Sequence, residues 1–155
     1  MADIRIKVAK DKAKLVKELR AGEGSTGPFQ TYVDLIVFAA SLGISRGRYE
    51  PVEEASRKDP DPIPWENFTS KNQDKIIDLI SVTHTRNPKI LEDTDECERE
   101  RAKIFEGYAN GGLALIQQAS GENDNFLFKI QMLLTREKNL LDQHEDSINL
   151  DFLSL

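Results

Sequence analysis

Residues 28–48 read PFQTYVDLIVFAASLGISRGR and form the most apolar stretch of the chain, with helix signals at both ends. Thr31 is placed to cap the helix, and Asp34, three residues later, suits the positive end of the helix dipole. Gly43 is expected to stop the helix. The segment between these signals leaves almost no polar face, so the rest of the chain must cover it on more than one side. The stretch therefore predicts a buried helix at the centre of one compact domain.

The N-terminus predicts a short half-buried strand, because Ile4, Ile6 and Val8 alternate with Arg5 and Lys7. A lysine-rich helix, a glycine-rich turn and the buried helix follow. This order is that of a ribbon-helix-helix DNA-binding module, in which two chains pair their strands and present the polar face to the major groove. The alternative is an ordinary edge strand whose charges protect it from aggregation.

The chain divides by composition into four parts. Residues 1–58 form a basic strand-helix-helix module, residues 59–70 a Pro-rich connection that packs Trp65 onto the core, and residues 71–137 an acidic helical part. Within the third part, Gly111-Gly112 is expected to kink a helix or to join two helices. The fold class is mainly α, with the short N-terminal strand.

The tail, residues 138–155, contains an alternation of apolar and polar residues at Ile148, Leu150 and Phe152. The alternation suits a minor edge strand, although a segment that docks on a partner or frays has the same composition. These three alternatives are open from the sequence, and the first would add a second, minor strand to the helical domain.

The formal net charge of −6 is distributed unevenly along the chain. Residues 1–58 hold 11 Lys/Arg and 8 Asp/Glu, a balance of +3, whereas residues 59–155 hold 10 and 19, a balance of −9. Such an asymmetry suits an N-terminal module that contacts an anionic partner, and it equally suits two halves that attract one another.

No pattern of residues indicates catalysis or a bound metal. The single cysteine, Cys97, and two histidines, His84 and His144, lack zinc spacing. The acidic residues between Glu92 and Glu100 lack the spacing of an EF-hand loop and suit the start of a helix. We therefore expect no enzymatic activity, no cofactor and no metal. No apolar run is long enough to span a bilayer and MADIRIKVAKDK lacks a signal-peptide core, so we expect a cytoplasmic protein without a membrane partner.

The candidate DNA-binding residues are the cations of the basic part: Arg5, Lys7, Lys10, Lys12, Lys14, Arg46 and Arg48. In the turn SRGRYEP, Arg46 and Arg48 flank Gly47 and could contact phosphates. The alternative for this pair is that the two cations cap the carbonyl end of the buried helix.

Three blocks of the sequence, GPFQTYVDLIVFAASLGISRGR, RKDPDPIPWENF and IFEGYANGG, together resemble the DNA phosphorothioation-associated proteins also called dnd system-associated protein 4. The resemblance covers roughly residues 4–135. It implies a place beside a bacterial system that replaces a backbone phosphate oxygen of DNA by sulfur, and beside its linked restriction machinery. It does not imply an activity.

Two hypotheses follow. The first is a non-enzymatic accessory protein, a homo-oligomer, that binds DNA through its basic N-terminal face. The second is an adaptor whose acidic half and tail dock a larger subunit of the same system. In both, other proteins of the phosphorothioation or restriction system are expected as partners.

Overall fold

The computed structural model describes residues 3–22, 25–119 and 126–153 and is mainly α, as predicted. For residues 22, 25–26, 126–127, 129 and 144–153 the description is of the backbone alone. The strands in these ranges are β1 (Arg5–Ile6), β2 (Ala21–Gly22), β3 (Ser25–Thr26) and β4 (Ile63–Pro64). The α-helices are α1 (Ala13–Leu19), α2 (Tyr32–Ser45), α3 (Trp65–Thr69), α4 (Asp74–Thr85), α5 (Asp95–Gln118) and α6 (Phe126–Leu153), and Lys10–Lys12 and Pro88–Leu91 form 3₁₀ turns.

Helix α2 is the buried central helix that the sequence predicts. Its first turn is capped by Thr31, whose hydroxyl oxygen accepts a hydrogen bond of 3.2 Å from the backbone N–H of Asp34. Most of its side chains are buried, and Leu35 and Ala39 are fully enclosed. The cover comes mainly from α5, which packs along α2. Both the cap and the burial were predicted correctly.

Glycines let α2 and α5 approach each other more closely than side chains would allow. A Cβ atom added to Gly112 would lie 1.7 Å from the carbonyl oxygen of Ala39, and one on Gly43 would lie 2.1 Å from that of Tyr108. The predicted alternative of a turn between two helices at Gly111-Gly112 is wrong, because α5 continues through both residues. The predicted stop at Gly43 is also wrong, because α2 continues to Ser45. The glycines serve helix packing rather than helix termination.

Strand β1 lies between β4 and α5. It pairs antiparallel with β4, with Arg5 opposite Pro64 and Ile6 opposite Ile63. On its other edge, the backbone N–H of Lys7 donates a 2.8 Å hydrogen bond to Oε1 of Glu106. The predicted alternation is confirmed, because the apolar residues point into the core and the charged ones are exposed. The partner strand comes from the same chain, whereas a ribbon-helix-helix module takes it from a second copy.

The Pro-rich segment contributes to the same core as the helices on either side of it. Ile63 and Phe68 are buried, and Trp65 packs against the cluster that also contains Leu35 and Phe105. The backbone N–H of Trp65 donates to the carbonyl oxygen of Ile4 at 3.0 Å. Residues 59–70 therefore attach to both the basic and the acidic parts of the chain.

The tail is helical. Helix α6 runs from Phe126 to Leu153, so the predicted minor strand is wrong for the residues that the structure describes. Ile130 and Leu133 are buried against the domain, whereas every side chain from Lys138 to Gln143 is exposed. Within the described ranges, none of the helices is both long enough and apolar enough to cross a membrane.

Candidate nucleic-acid interface

A groove of about 370 Å³ lies between β1 and the first half of α5. On one wall, Arg5 of β1 and Lys7, the first residue after the strand, are two positions apart and both exposed. On the other wall, Arg99, Lys103 and Glu106 recur at intervals of four and three residues, which places them on one face of the helix. The fold thus brings together cations that are distant from one another in the sequence.

The groove is positively charged. It is lined by four cations and by two carboxylates, those of Asp3 and Glu106, so its formal balance is +2. Asp3 neutralises Arg5 through a 3.1 Å ion pair. Within the described part of the chain, the side chains of Lys7, Arg99 and Lys103 form no salt bridge. These three charges are available to an anion.

Glu106 is the most buried charged residue that lines the groove. Its residue is 9% exposed, and its carboxylate accepts the hydrogen bond from Lys7. Burial raises the pKa of the Glu106 carboxyl, while the Lys7 amide and the charges of Lys7 and Lys103 act in the opposite direction. An anion bound close to Glu106 would raise this pKa further. Protonation of Glu106 and anion binding therefore favour each other.

The other cations of the N-terminal module lie outside this groove. Lys10 pairs with Glu54 at 3.2 Å, and Lys12 is 5% exposed with its ammonium group 3.0 Å from Asp11. Both line a second pocket, of about 680 Å³, in which carboxylates outnumber cations. Lys14 is exposed on α1. The second pocket is negatively charged and would repel a polyanion.

The basic turn after α2 is engaged within the chain. Arg46 forms an ion pair with Glu137 of α6, and both side chains are largely shielded from solvent. Arg48 lies 3.6 Å from Glu50 and donates to Gln118 at 3.3 Å. These carboxylates offset the positive charge that the sequence alone suggested for the turn.

The alternative interpretation of the turn was that its cations cap α2. The backbone N–H of Arg46 donates to Leu42 at 3.1 Å, and that of Arg48 donates to Gly43 at 2.8 Å. The helix end is thus closed by main-chain amides, while the guanidinium groups bind acidic and amide side chains.

Sequence reasoning missed Arg99 and Lys103. Both lie in the part of the chain with a balance of −9, and Arg99 stands within the acidic run that ends at Glu100. Their spacing of four residues on a helix was the available signal, since it places two cations on one face although the segment as a whole is acidic.

A cluster of aromatic residues ties α4 to α5. Nδ1 of His84 lies 2.7 Å from the hydroxyl of Tyr108, and the ring of Tyr49 stacks on His84 with 5.4 Å between centroids. Burial is the main reason that the pKa of Tyr49 is raised. Across the described ranges, no three His, Cys, Asp or Glu side chains converge in the manner of a metal site.

Comparison with known proteins gives one family. The family model described as DNA sulphur modification system-associated protein 4 matches residues 5–152, nearly the whole chain. No curated protein and no solved structure matches. The match agrees with the resemblance of the three sequence blocks.

Proposed function

Since the chain belongs to the family of DNA sulphur modification system-associated protein 4, we propose that it is a non-enzymatic accessory protein of such a system and binds DNA through the groove between β1 and α5. It would act in the cytoplasm, beside the modification machinery or a linked restriction machinery. The observation that carries the proposal is a set of three cations, Lys7, Arg99 and Lys103. They line the two walls of one groove and form no salt bridge with any described residue.

The position of these charges supports binding of a phosphate backbone. A chain with a net charge of −6 repels DNA at long range, so attraction must come from a local concentration of positive charge. Cations on two facing walls can contact successive phosphates of one strand. Contacts of this kind are independent of base sequence and release counterions, which makes binding strongly dependent on salt.

The test compares two triple variants that change the net charge equally. Lys7→Gln, Arg99→Gln and Lys103→Gln remove the groove cations, whereas Arg57→Gln, Lys58→Gln and Lys89→Gln remove three exposed cations elsewhere. Fluorescence anisotropy with duplex DNA, with and without phosphorothioate, is measured at two salt concentrations. We expect the groove variant to bind about tenfold or more weakly, with its salt slope reduced by about 0.9 for each phosphate that it no longer neutralises.

The control variant should bind nearly as well as the parent. An equal loss in both variants would mean that overall charge, rather than the groove, attracts DNA. If the parent itself fails to bind either duplex at low salt, the DNA proposal is wrong and an adaptor role is favoured.

The adaptor hypothesis is the second candidate. The observation that favours it is a row of exposed carboxylates around Leu91, itself 43% exposed, at the start of α5. The carboxylates are those of Glu92, Asp93, Asp95, Glu96 and Glu100. A surface of this composition suits a basic protein partner with an apolar patch.

Co-purification with co-expressed proteins of the same system tests this second role. Asp95→Lys with Glu96→Lys should abolish co-purification, whereas the groove variant should retain it. If the Asp95 and Glu96 variant recovered every partner as well as the parent does, the acidic surface would not be the docking site.

A further inference from the structure

From Lys138 to Gln143, the side chains of helix α6 have no cover from the described chain. All six side chains from Lys138 to Gln143 are exposed, and they include Leu140 at 49% and Leu141 at 63%. One heptad before Leu141, Leu134 is 50% exposed although its neighbour Leu133 is buried. Leucine side chains that are about half exposed leave apolar surface in contact with water.

The exposed leucines belong to a seven-residue repeat. In the sequence, Leu127, Leu134, Leu141 and Ile148 follow each other at intervals of seven. Since seven residues make almost two helical turns, positions 134, 141 and 148 of α6 form a single row along the helix. A strict interval of seven is typical of helices that pair with another helix over a long distance.

The part of α6 that follows Glu137 is close to the length at which an isolated helix is marginal in water. From Lys138 to Leu153 it has 16 residues, on the order of 24 Å at the rise of an α-helix. Isolated helices of about this length are marginal in water, and most helical stability in proteins comes from packing. A partner that covers the leucine row would supply that packing.

We propose that this partner is a second copy of the chain, docked antiparallel through α6 and centred on Leu141. In this register, position 134 of one copy lies opposite position 148 of the other, and Arg136 lies opposite position 146, which is an aspartate. The pairing places positions 134, 141 and 148 of one helix against positions 148, 141 and 134 of its partner.

Charge complementarity selects both the partner and the orientation. Residues 126–138 hold three cations and one anion, a balance of +2, whereas residues 139–153 hold four anions and no Lys or Arg, a balance of −4. Antiparallel pairing places the cationic half of each helix against the acidic half of the other. Parallel pairing would set like charges against each other along the whole contact.

Sedimentation equilibrium of the full chain across a concentration series tests the assembly. The parent should shift from 17.5 kDa towards twice that mass. Leu134→Glu with Leu141→Glu should remain at 17.5 kDa while the domain keeps its cooperative thermal unfolding. Leu79→Glu is the matched control, because Leu79 is 66% exposed on α4, and it should dimerise like the parent. A parent that stays monomeric at every concentration overturns the proposal.

Cysteine cross-linking tests the orientation. On a Cys97→Ser background, which removes the single native thiol, Leu141→Cys should form a disulfide-linked dimer under mild oxidation. Leu134→Cys alone should not cross-link, whereas a mixture of Leu134→Cys and Ile148→Cys chains should. Cross-linking of Leu134→Cys with itself would indicate parallel pairing. Loss of the homodimer when another protein of the system binds the row with higher affinity would assign the surface to that protein.

Discussion

Helix α5 packs against α2 with glycines and faces β1 with charged side chains, so two sides of one helix have opposite composition. The side towards α2 contains Gly112, whose Cβ position lies 1.7 Å from the carbonyl oxygen of Ala39, and the neighbouring Gly111 lies against Arg48 in the turn after α2. The side towards β1 contains Arg99, Lys103 and Glu106, which line an open groove. Gly112 on the first side leaves no room for an added side chain, whereas the exposed cations of the second side can be replaced at little cost in stability.

This difference separates the residues that determine folding from those proposed to bind DNA. Substitutions on the glycine side should change the free energy of unfolding, while substitutions of the cations on the groove side should change anion binding alone. Each of the following variants tests whether the two sides are independent.

The largest effect is expected for Gly112→Ala. In an ordinary helix this change stabilises by about 1 kcal/mol. Here the new Cβ would lie 1.7 Å from the carbonyl oxygen of Ala39, so we expect a loss of about 3 kcal/mol or more in the free energy of unfolding. Urea unfolding followed by circular dichroism measures it.

Gly47→Ala is the control for that measurement. Gly47 has a φ of 63° and nothing near its Cβ position, so only backbone strain of about 1 kcal/mol is expected. If Gly112→Ala proved as mild as the control, the close contact of α2 with α5 would not determine stability.

A second prediction contrasts two arginines that are two residues apart on α5. Arg101 is 7% exposed, donates to the carbonyl oxygen of Ile90 at 2.7 Å and lies 3.4 Å from Asp78. Arg101→Met should cost about 3 kcal/mol, because it leaves buried acceptors without their donor. Arg99→Met, in the groove, should stay within about 0.5 kcal/mol of the parent in the same unfolding experiment. Equal losses would contradict the conclusion that the groove cations contribute little to stability.

The third prediction concerns pH. Because burial raises the pKa of Glu106 in the folded chain, the unfolded chain releases this proton first as pH increases. The stability contributed by the protonated carboxyl is complete below the ordinary glutamate pKa of 4.5 and is lost as pH rises through the higher folded pKa. Unfolding free energies of the parent minus those of Glu106→Gln should therefore fall across this interval. A flat difference would show that Glu106 titrates normally.

The smallest effect on DNA binding is expected for Arg46→Gln with Arg48→Gln. The sequence alone predicts that this variant weakens DNA binding and leaves stability intact. The ion pairs with Glu137 and Glu50 alter that expectation, because they occupy both guanidinium groups. We expect an affinity within about twofold of the parent and a loss of about 1 kcal/mol in stability. A tenfold loss of DNA affinity with an unchanged free energy of unfolding would indicate that the turn contacts DNA.

The features that the sequence predicted correctly depend on neighbouring residues. The Thr31 cap of α2 depends on an amide three residues away, and the exposed face of β1 follows from alternation within five residues. In each case the residues that determine the feature are close neighbours in the sequence.

The features that were missed depend on residues distant in sequence. Gly111-Gly112 resembles a helix break until α2 is placed against it, and the cations of α5 resemble part of an acidic segment until β1 is placed beside them. Ile148 and Leu150 alternate like strand residues, but the heptad repeat with Leu134 and Leu141 belongs to a helix. These outcomes are set by tertiary partners that a local pattern does not specify.

The hydrogen bond between Lys7 and Glu106 joins residues 99 positions apart in sequence, which has a consequence for the order of folding. While the chain is being synthesised, β1 has no strand partner until residues 63–64 emerge and no helix beside it until α5 emerges. The groove is therefore completed late, after long-range contacts have formed. A nascent or truncated chain that lacks α5 would therefore carry the lysines of the N-terminus without the completed groove.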